Sequence, residues 1–192
     1  SEVVSALVDL GVEPERAEDA ARTSGGRPGL ALMLATRPEV GEFRRVWLGV
    51  PEALSARPGD AFRLAKTVMA ASDPLLVALR ERQRAEVDLS ADDGEPLRAM
   101  RDRHERGLKR ATSALFVTGL EILASWYRDV AAAQFGAPVR NRDIPATALT
   151  AVTPAAAVAK AERVLETVDA LAANQRPELA FAALFADLAA ET

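Results

Sequence analysis

The sequence predicts an all-α protein, built as a small three-helix unit followed by a helical bundle. Nearly half of the 192 residues are apolar but only 5% are aromatic, and alanine and leucine, the strongest apolar helix formers, supply most of the apolar mass. Apolar residues recur at helical spacing along the chain. No run of alternating apolar and polar residues between turn signals stands out as a strand.

Residues 1–38 predict the three-helix unit. Apolar residues at helical spacing from Val3 to Leu10 end at Gly11, and Pro14 begins a second helix. A third helix follows residues 24–29, a glycine-rich segment that is typical of a helix end followed by a helix start. A phosphate-binding loop is not expected there, because no Gly-Lys-Ser or Gly-Lys-Thr follows it.

A linker helix is predicted over residues 39–58. Prolines and glycines in this segment are typical of a domain boundary, while Trp47 and its apolar neighbours keep a helical spacing, which favours a partly stiff hinge. The bundle then covers residues 59–192. Its first helices are predicted from Ala61 and from Asp73, and an acidic loop is predicted over residues 86–96. That loop does not have the register of a calcium-binding loop.

Residues 97–110 contain six basic and two acidic side chains. We expect these residues to form the solvent-exposed first part of a long helix, with ion pairs along it such as Glu105 with Lys109. The alternative is a contact for DNA or an acidic partner, which the lack of interleaved aromatic residues disfavours. His104 has no companion nucleophile and is expected at the surface. The candidate contact residues are Arg98, Arg103, Arg106 and Arg110.

The long helix continues from Ala111 to Gly136 as the predicted centre of the bundle. Glu121 is the only charged residue between Ala111 and Tyr127, and apolar residues cover several faces, as in a helix surrounded by protein. A membrane span needs ~20 apolar residues, so the uncharged part is too short and no membrane association is expected.

Two amphipathic helices are predicted after a polar turn at residues 136–143, one from Pro154 and one from Pro177. We expect both helices to pack on the central helix. Any apolar surface that they leave uncovered is expected to contact another subunit. The predicted apolar stripe of the first is Val158, Ala161, Leu165, Val168 and Leu171. The candidate interface residues are Leu115, Ile122, Trp126, Val130, Phe181, Leu184 and Phe185.

Five segments, taken in order, resemble one known family. They are GGRPGLALML (25–34), WLGVPEAL (47–54), ALFVTGLEILASWYRDV (114–130), NRDI (141–144) and NQRPELAFAALFADL (174–188). This ordered set is similar to the C-terminal part of the delta-prime subunits of the bacterial DNA polymerase III clamp loader. The resemblance implies that residues 1–38 are the helical lid of an AAA+ module and that the bundle is the collar domain, through which the subunits assemble.

The resemblance also implies partners and a missing activity. The partners are the motor (gamma/tau) and delta-type subunits of the clamp loader. In ATP-hydrolysing relatives the lid pattern Gly-x-x-Arg-x-Ala-Leu supplies an arginine that senses nucleotide, and Gly29 stands at that position here. Without a guanidinium there is no bidentate donor for a phosphate, which is typical of a non-hydrolysing subunit. The family's common glutamate is replaced by Ala182. The alternative function is a helical DNA-binding or protein-interaction adaptor.

Overall fold

The computed structural model describes residues 2–24, 28–57, 59–90, 97–150 and 152–190, and these residues form helices and connecting turns without a strand. The prediction of an all-α fold is confirmed. The helices are α1 (Glu2–Asp9), α2 (Pro14–Thr23), α3 (Pro28–Thr36), α4 (Pro38–Leu48), α5 (Val50–Ala53), α6 (Asp60–Ala70), α7 (Asp73–Ser90), α8 (Leu97–Gln134), α9 (Pro154–Ala172) and α10 (Pro177–Ala190), with a 3₁₀ turn at Ala148–Thr150.

Prolines mark where many of these helices begin. Five of the helices, α2, α3, α4, α9 and α10, have proline as their first residue, where its missing N–H removes no intrahelical bond and its fixed φ suits the helix. At the other end, Gly11 and Gly136 follow α1 and α8 with φ of +84° and +69°. Glycine adopts this left-handed conformation without steric cost, which ends the helix.

The first three helices share a small core. Leu7 of α1 packs against alanines of α2 and α3, including the fully buried Ala17 and Ala31. Alanine side chains let the helices approach closely. Arg16 of α2 also donates a hydrogen bond of 2.7 Å to the carbonyl oxygen of Ala35 near the end of α3, which satisfies one of the carbonyl groups that the helix leaves unpaired.

The second, larger core surrounds the second half of α8. Leu120, Leu123 and Val130 of α8 are fully buried. The long helix α9 packs along α8, while α10 packs against α6 and α9, and α7 lies against the first half of α8. Helix α8 thus lies at the centre of this core, as its apolar pattern predicts.

Helix α4 belongs to this second core. Its Trp47 is fully buried and lies directly on Gly119 of α8. The rings of Phe43 and Phe181 lie against the indole, with ring centroids 6.3 Å and 5.5 Å away. The segment predicted as a linker, residues 39–58, is therefore packed over much of its length rather than a hinge between units.

Part of the predicted acidic loop is helical. Residues 86–90 form the last turns of α7, and residues 91–96 lie outside the described residues. Glu86 contacts α8, because its carboxylate oxygens lie 3.0 Å from Arg103 Nη2 and 2.9 Å from His104 Nε2. Gln83 Nε2 also donates to the carbonyl oxygen of His104 at 3.1 Å. The sequence predicts that the helix ends before residue 86, whereas α7 continues to Ser90. The contacts with α8 stabilise these last turns.

Replacing Gly119 by alanine tests the contact between α4 and α8. A Cβ at this position would lie 2.0 Å from Trp47 Cε2, so the indole has to move. We expect Gly119→Ala to lower the free energy of unfolding by about 1–3 kcal/mol, as overpacking does, measured by urea denaturation followed by circular dichroism.

Gly107→Ala is the matched control, because it lies in the same helix and its Cβ would meet only Gln83 Nε2, at 3.6 Å. Alanine is favoured over glycine inside a helix by roughly 0.5–1 kcal/mol, so this variant should be as stable as the native chain or more so. Equal stability of the two variants would contradict the packing of Trp47 on Gly119.

Candidate functional site

A buried polar network joins the end of α8 to the segment that follows it. The carboxylate of Asp129 is fully buried and accepts hydrogen bonds from the backbone N–H of Arg140 at 3.0 Å and of Asn141 at 2.7 Å. It also accepts from Asn141 Nδ2 at 2.8 Å and from Arg128 Nη1 at 2.7 Å. A buried carboxylate is costly unless its oxygens are satisfied in this way.

The network continues from Asn141 to α4. Asn141 Nδ2 donates to Ser125 Oγ at 3.0 Å, and Asn141 Oδ1 accepts from Arg44 Nη2 at 2.8 Å. Arg44 Nη2 donates as well to Asp143 Oδ1 at 2.7 Å, while Nη1 pairs with Asp143 Oδ2. One chain of polar contacts therefore connects α4, α8 and residues 140–143.

The electrostatic effect of this network is clearest at Asp143. The hydrogen bond from Arg44 holds the pKa of the Asp143 carboxyl below its ordinary value of 3.8, with the positive charge of Arg44 acting in the same direction and partial burial opposing it. Much of the Asp143 side chain is exposed, so solvent screens the pair. The pair positions residues 140–143 more than it stabilises the fold.

A cavity of about 240 Å³ lies beside this network, at the junction of the two cores. We call it the junction cavity. Its wall is formed by apolar residues of α3, α4, α7 and α8, and polar or charged residues lie among them. The apolar residues are Leu30, Met33, Leu34, Val40, Phe43, Leu75, Leu115 and Ile122; the others are Thr23, Arg37, Arg44, Thr118, Glu121, Ser125 and Arg140.

The candidate interface residues lie inside the second core or at its edge. Leu115 and Ile122 are half-buried and line the junction cavity. The others are buried between α8, α9, α10 and their neighbours, so in this conformation they hold the bundle together and are not exposed to a partner. These buried residues are Trp126, Val130, Phe181, Leu184 and Phe185.

The face of α9 that packs on the second core matches the predicted stripe only in part. Ala161, Val168 and Leu171 of the stripe pack against that core. Val158 and Leu165 are about half exposed, whereas Lys160 and Thr167 are buried. Lys160 buries its aliphatic chain and donates from Nζ to the carbonyl oxygen of Leu188 at 2.7 Å, and the Thr167 hydroxyl donates to the carbonyl oxygen of Arg163 at 3.3 Å. Because these polar groups find partners inside the protein, the buried face of α9 includes residues that hydrophobicity alone does not predict.

Exposed apolar side chains mark a different candidate surface. Val158 and Leu165 are seven residues apart and lie on one side of α9. Phe62 of α6 and Leu179 of α10 are also exposed, and all four side chains retain between 47% and 53% of their accessible surface. Sequence reasoning missed them as a set, because apolar periodicity does not distinguish a face that packs within the chain from one that packs on a partner.

The candidate DNA-contact residues lie exposed on the first half of α8. Arg103 pairs with Glu86, and the predicted ion pair of Glu105 with Lys109 is present at 2.8 Å. Residues 80–110 as a whole contain nine basic and eight acidic residues, so the positive charge is local. The four candidates are Arg98, Arg103, Arg106 and Arg110.

His104 lies between helices rather than at the surface. Only 13% of its side chain is exposed, which differs from the expectation that an isolated histidine in a charged segment lies in solvent. The hydrogen bond from His104 is the largest of the effects that lower the pKa of Glu86. The histidine therefore helps to hold α7 against α8.

Gly29, at the position that the lid pattern gives to an arginine, lies exposed in the first turn of α3. A Cβ added there would have no neighbour within 4 Å. The position has room for a side chain, and glycine supplies no donor. Of the preceding glycine-rich segment, residues 25–27 lie outside the described residues.

Comparison with known proteins found no match: no family model, no curated protein and no solved structure matches the chain. Within the described ranges, no three His, Cys, Asp or Glu side chains are grouped so that they could hold a metal ion. Among the helices described above, none has the length and hydrophobicity that crossing a membrane requires. The structure therefore defines an all-α chain with two helical cores, a buried polar network and partly exposed apolar faces.

Asp129→Asn tests the polar network. The amide nitrogen of asparagine would face donors that now bind carboxylate oxygens, and we expect the free energy of unfolding to fall by about 2–3 kcal/mol. Asp102→Asn, exposed on the same helix, is the control and should change it by no more than about 0.5 kcal/mol. Thermal or urea unfolding measures both, and a similar small effect of the two variants would contradict a network centred on Asp129.

The Arg44–Asp143 pair predicts a dependence on pH. Because the pKa of Asp143 is lowered on folding, its contribution is present above the ordinary value of 3.8 and is lost as pH falls through the lower folded value. The difference in unfolding free energy between the native chain and Asp143→Asn should be constant above about pH 5 and shrink below about pH 4. Urea denaturation at several pH values measures it, and a difference that grows on acidification would refute the pairing.

Proposed function

We propose that this chain is the C-terminal part of a delta-prime-type subunit of the bacterial DNA polymerase III clamp loader, acting in DNA replication in the cytoplasm. In this proposal α1–α3 are the AAA+ lid and the rest of the chain is the collar domain. The chain has a structural, non-hydrolysing role: it holds subunits together and supplies no catalytic residue to the polymerase complex.

The observation that carries the proposal is that the resembling segments meet in space. Trp47 of the second segment lies on Gly119 of the third, and Phe181 of the fifth packs on the indole. Asp129 of the third segment binds Asn141 of the fourth. Segments that share one core constrain each other's sequence, which supports reading them as one family pattern rather than as separate coincidences.

An assembly role is supported by the exposed apolar side chains on the outside of the larger core. Burying a fully exposed Val, Leu or Phe side chain contributes roughly 1.5–3 kcal/mol. These side chains are already about half buried, so covering the rest of each contributes about half of that amount, and several together provide a substantial share of an interface energy. The proposed surface is the exposed apolar face of α9, with Val158 and Leu165. Phe62 of α6 and Leu179 of α10 are also exposed, on two helices that pack against each other.

Two further observations bear on the choice of function. Gly29 supplies no guanidinium for a nucleotide phosphate, which supports a subunit that does not hydrolyse ATP. The alternative of a DNA-binding adaptor is less favoured, because the arginines of α8 lie within a segment whose basic and acidic residues nearly balance and DNA affinity depends on net phosphate neutralisation.

The test is assembly with clamp-loader subunits. The mass in solution of the native chain, alone and mixed with the motor and delta subunits, should show a mixed complex. Val158→Glu combined with Leu165→Glu should abolish or strongly weaken it, because charges would be buried in the interface. Circular dichroism verifies that the variant is folded.

The matched control is Val8→Glu combined with Leu10→Glu, which places the same charges on exposed apolar positions at the end of α1 and in the turn after it. This control should assemble like the native chain. Failure of the native chain to bind either subunit would refute the proposal, and so would measurable ATP turnover by the chain. Equal loss of assembly in both double variants would refute the surface on α9.

A further inference from the structure

We propose that the junction cavity binds a small amphiphilic carboxylate of about ten heavy atoms in all, with an aliphatic body and one anionic group. This inference uses different residues from the assembly surface and does not depend on the proposed role in a clamp loader. It rests on three properties of the cavity: an apolar wall that the described residues leave partly uncovered, its volume, and the charges of the polar groups around it.

The apolar wall comes from four helices but is not closed by them. Leu30 and Leu34 of α3 and Leu115 and Ile122 of α8 are only half-buried, and Met33 keeps 43% of its surface exposed. Core side chains of a folded domain normally cover each other completely. Pockets with mostly apolar walls and a few polar groups are typical of ligand sites, and they occur preferentially between domains.

The volume sets the size of the ligand. An engineered apolar cavity of about 150 Å³ accommodates benzene, which has six heavy atoms. The junction cavity has about 240 Å³, which in proportion corresponds to about ten heavy atoms. Met33 in the wall has a flexible thioether side chain that adapts to ligands of slightly different shape.

The charges favour an anion. Arg37, Arg44 and Arg140 line the cavity together with one acidic residue, Glu121. Arg44 is paired with Asp143, so the lining arginines still exceed the carboxylates by one positive charge. The backbone N–H of Arg140 donates to the Asp129 carboxylate at 3.0 Å. This bond holds the backbone of Arg140 in place, and the Arg140 side chain is half-buried. Arg140 is one of the residues that line the cavity, and an arginine guanidinium can bind a carboxylate with two parallel hydrogen bonds.

The methionines of the chain provide a direct test with internal controls. The sequence has three, and only Met33 lines the cavity, whereas Met69 is half-buried against the second core and Met100 of α8 is fully buried. We expect octanoate, added to the full chain labelled with ¹³C at the methionine methyl groups, to shift the Met33 signal in a saturable way and to leave the other two in place. No shift of Met33, or unsaturable shifts of all three signals, would overturn the proposal.

Neutral and cationic analogues test the anionic group. Octanol and octylammonium have the same aliphatic chain, so the expected order of affinity is octanoate, then octanol, then octylammonium. Arg140→Gln keeps the backbone N–H that Asp129 binds and should weaken octanoate by about tenfold, the equivalent of about 1.4 kcal/mol, while octanol binding stays the same. Arg142→Gln, on an exposed neighbour that does not line the cavity, is the control. Equal affinities for the three compounds, or equal effects of the two variants, would refute the selection of an anion.

Filling the cavity tests its location. Leu30→Trp places a larger side chain in the wall and should abolish the saturable binding of octanoate. Leu32→Trp, on the same helix but outside the lining and already 37% exposed, should bind octanoate like the native chain. Circular dichroism verifies that both variants are folded, and binding by a folded Leu30→Trp variant with unchanged affinity would place the ligand elsewhere.

Discussion

The contact between Trp47 and Gly119 is the constraint on which the arrangement of the chain depends. A residue with any side chain at position 119 would occupy the space of the indole, so the absence of a Cβ allows α4 to lie directly on α8. No acceptor among the described residues pairs with Trp47 Nε1, and an unpaired buried N–H costs about 1–3 kcal/mol. Burial of the whole indole and its ring contacts with Phe43 and Phe181 act against this cost.

This contact also determines where the first unit lies. Only Arg37 separates α3 from α4, so docking α4 on the second core brings α3 beside α8 and α7. The junction cavity lies between these helices. The polar network then fixes the other side of the junction, because Arg44 of α4 is bound to Asn141 and Asp143, and Asn141 is bound to Asp129 of α8.

Two surfaces of different character result from this architecture. The exposed face of α9 presents the apolar side chains of Val158 and Leu165 and is the surface proposed for assembly. The junction cavity is concave, small and bordered by arginines, which suits a small molecule.

The sequence by itself determined the all-α class, most helix starts and the central position of α8, because prolines, glycines and apolar periodicity act locally. Tertiary structure alone decided that Lys160 lies on the buried face of α9, because its ammonium is satisfied by the carbonyl oxygen of Leu188, 28 positions along the chain. It likewise placed Trp47 in the larger core rather than in a hinge, because the space above Gly119 is visible only when α8 and α4 are brought together.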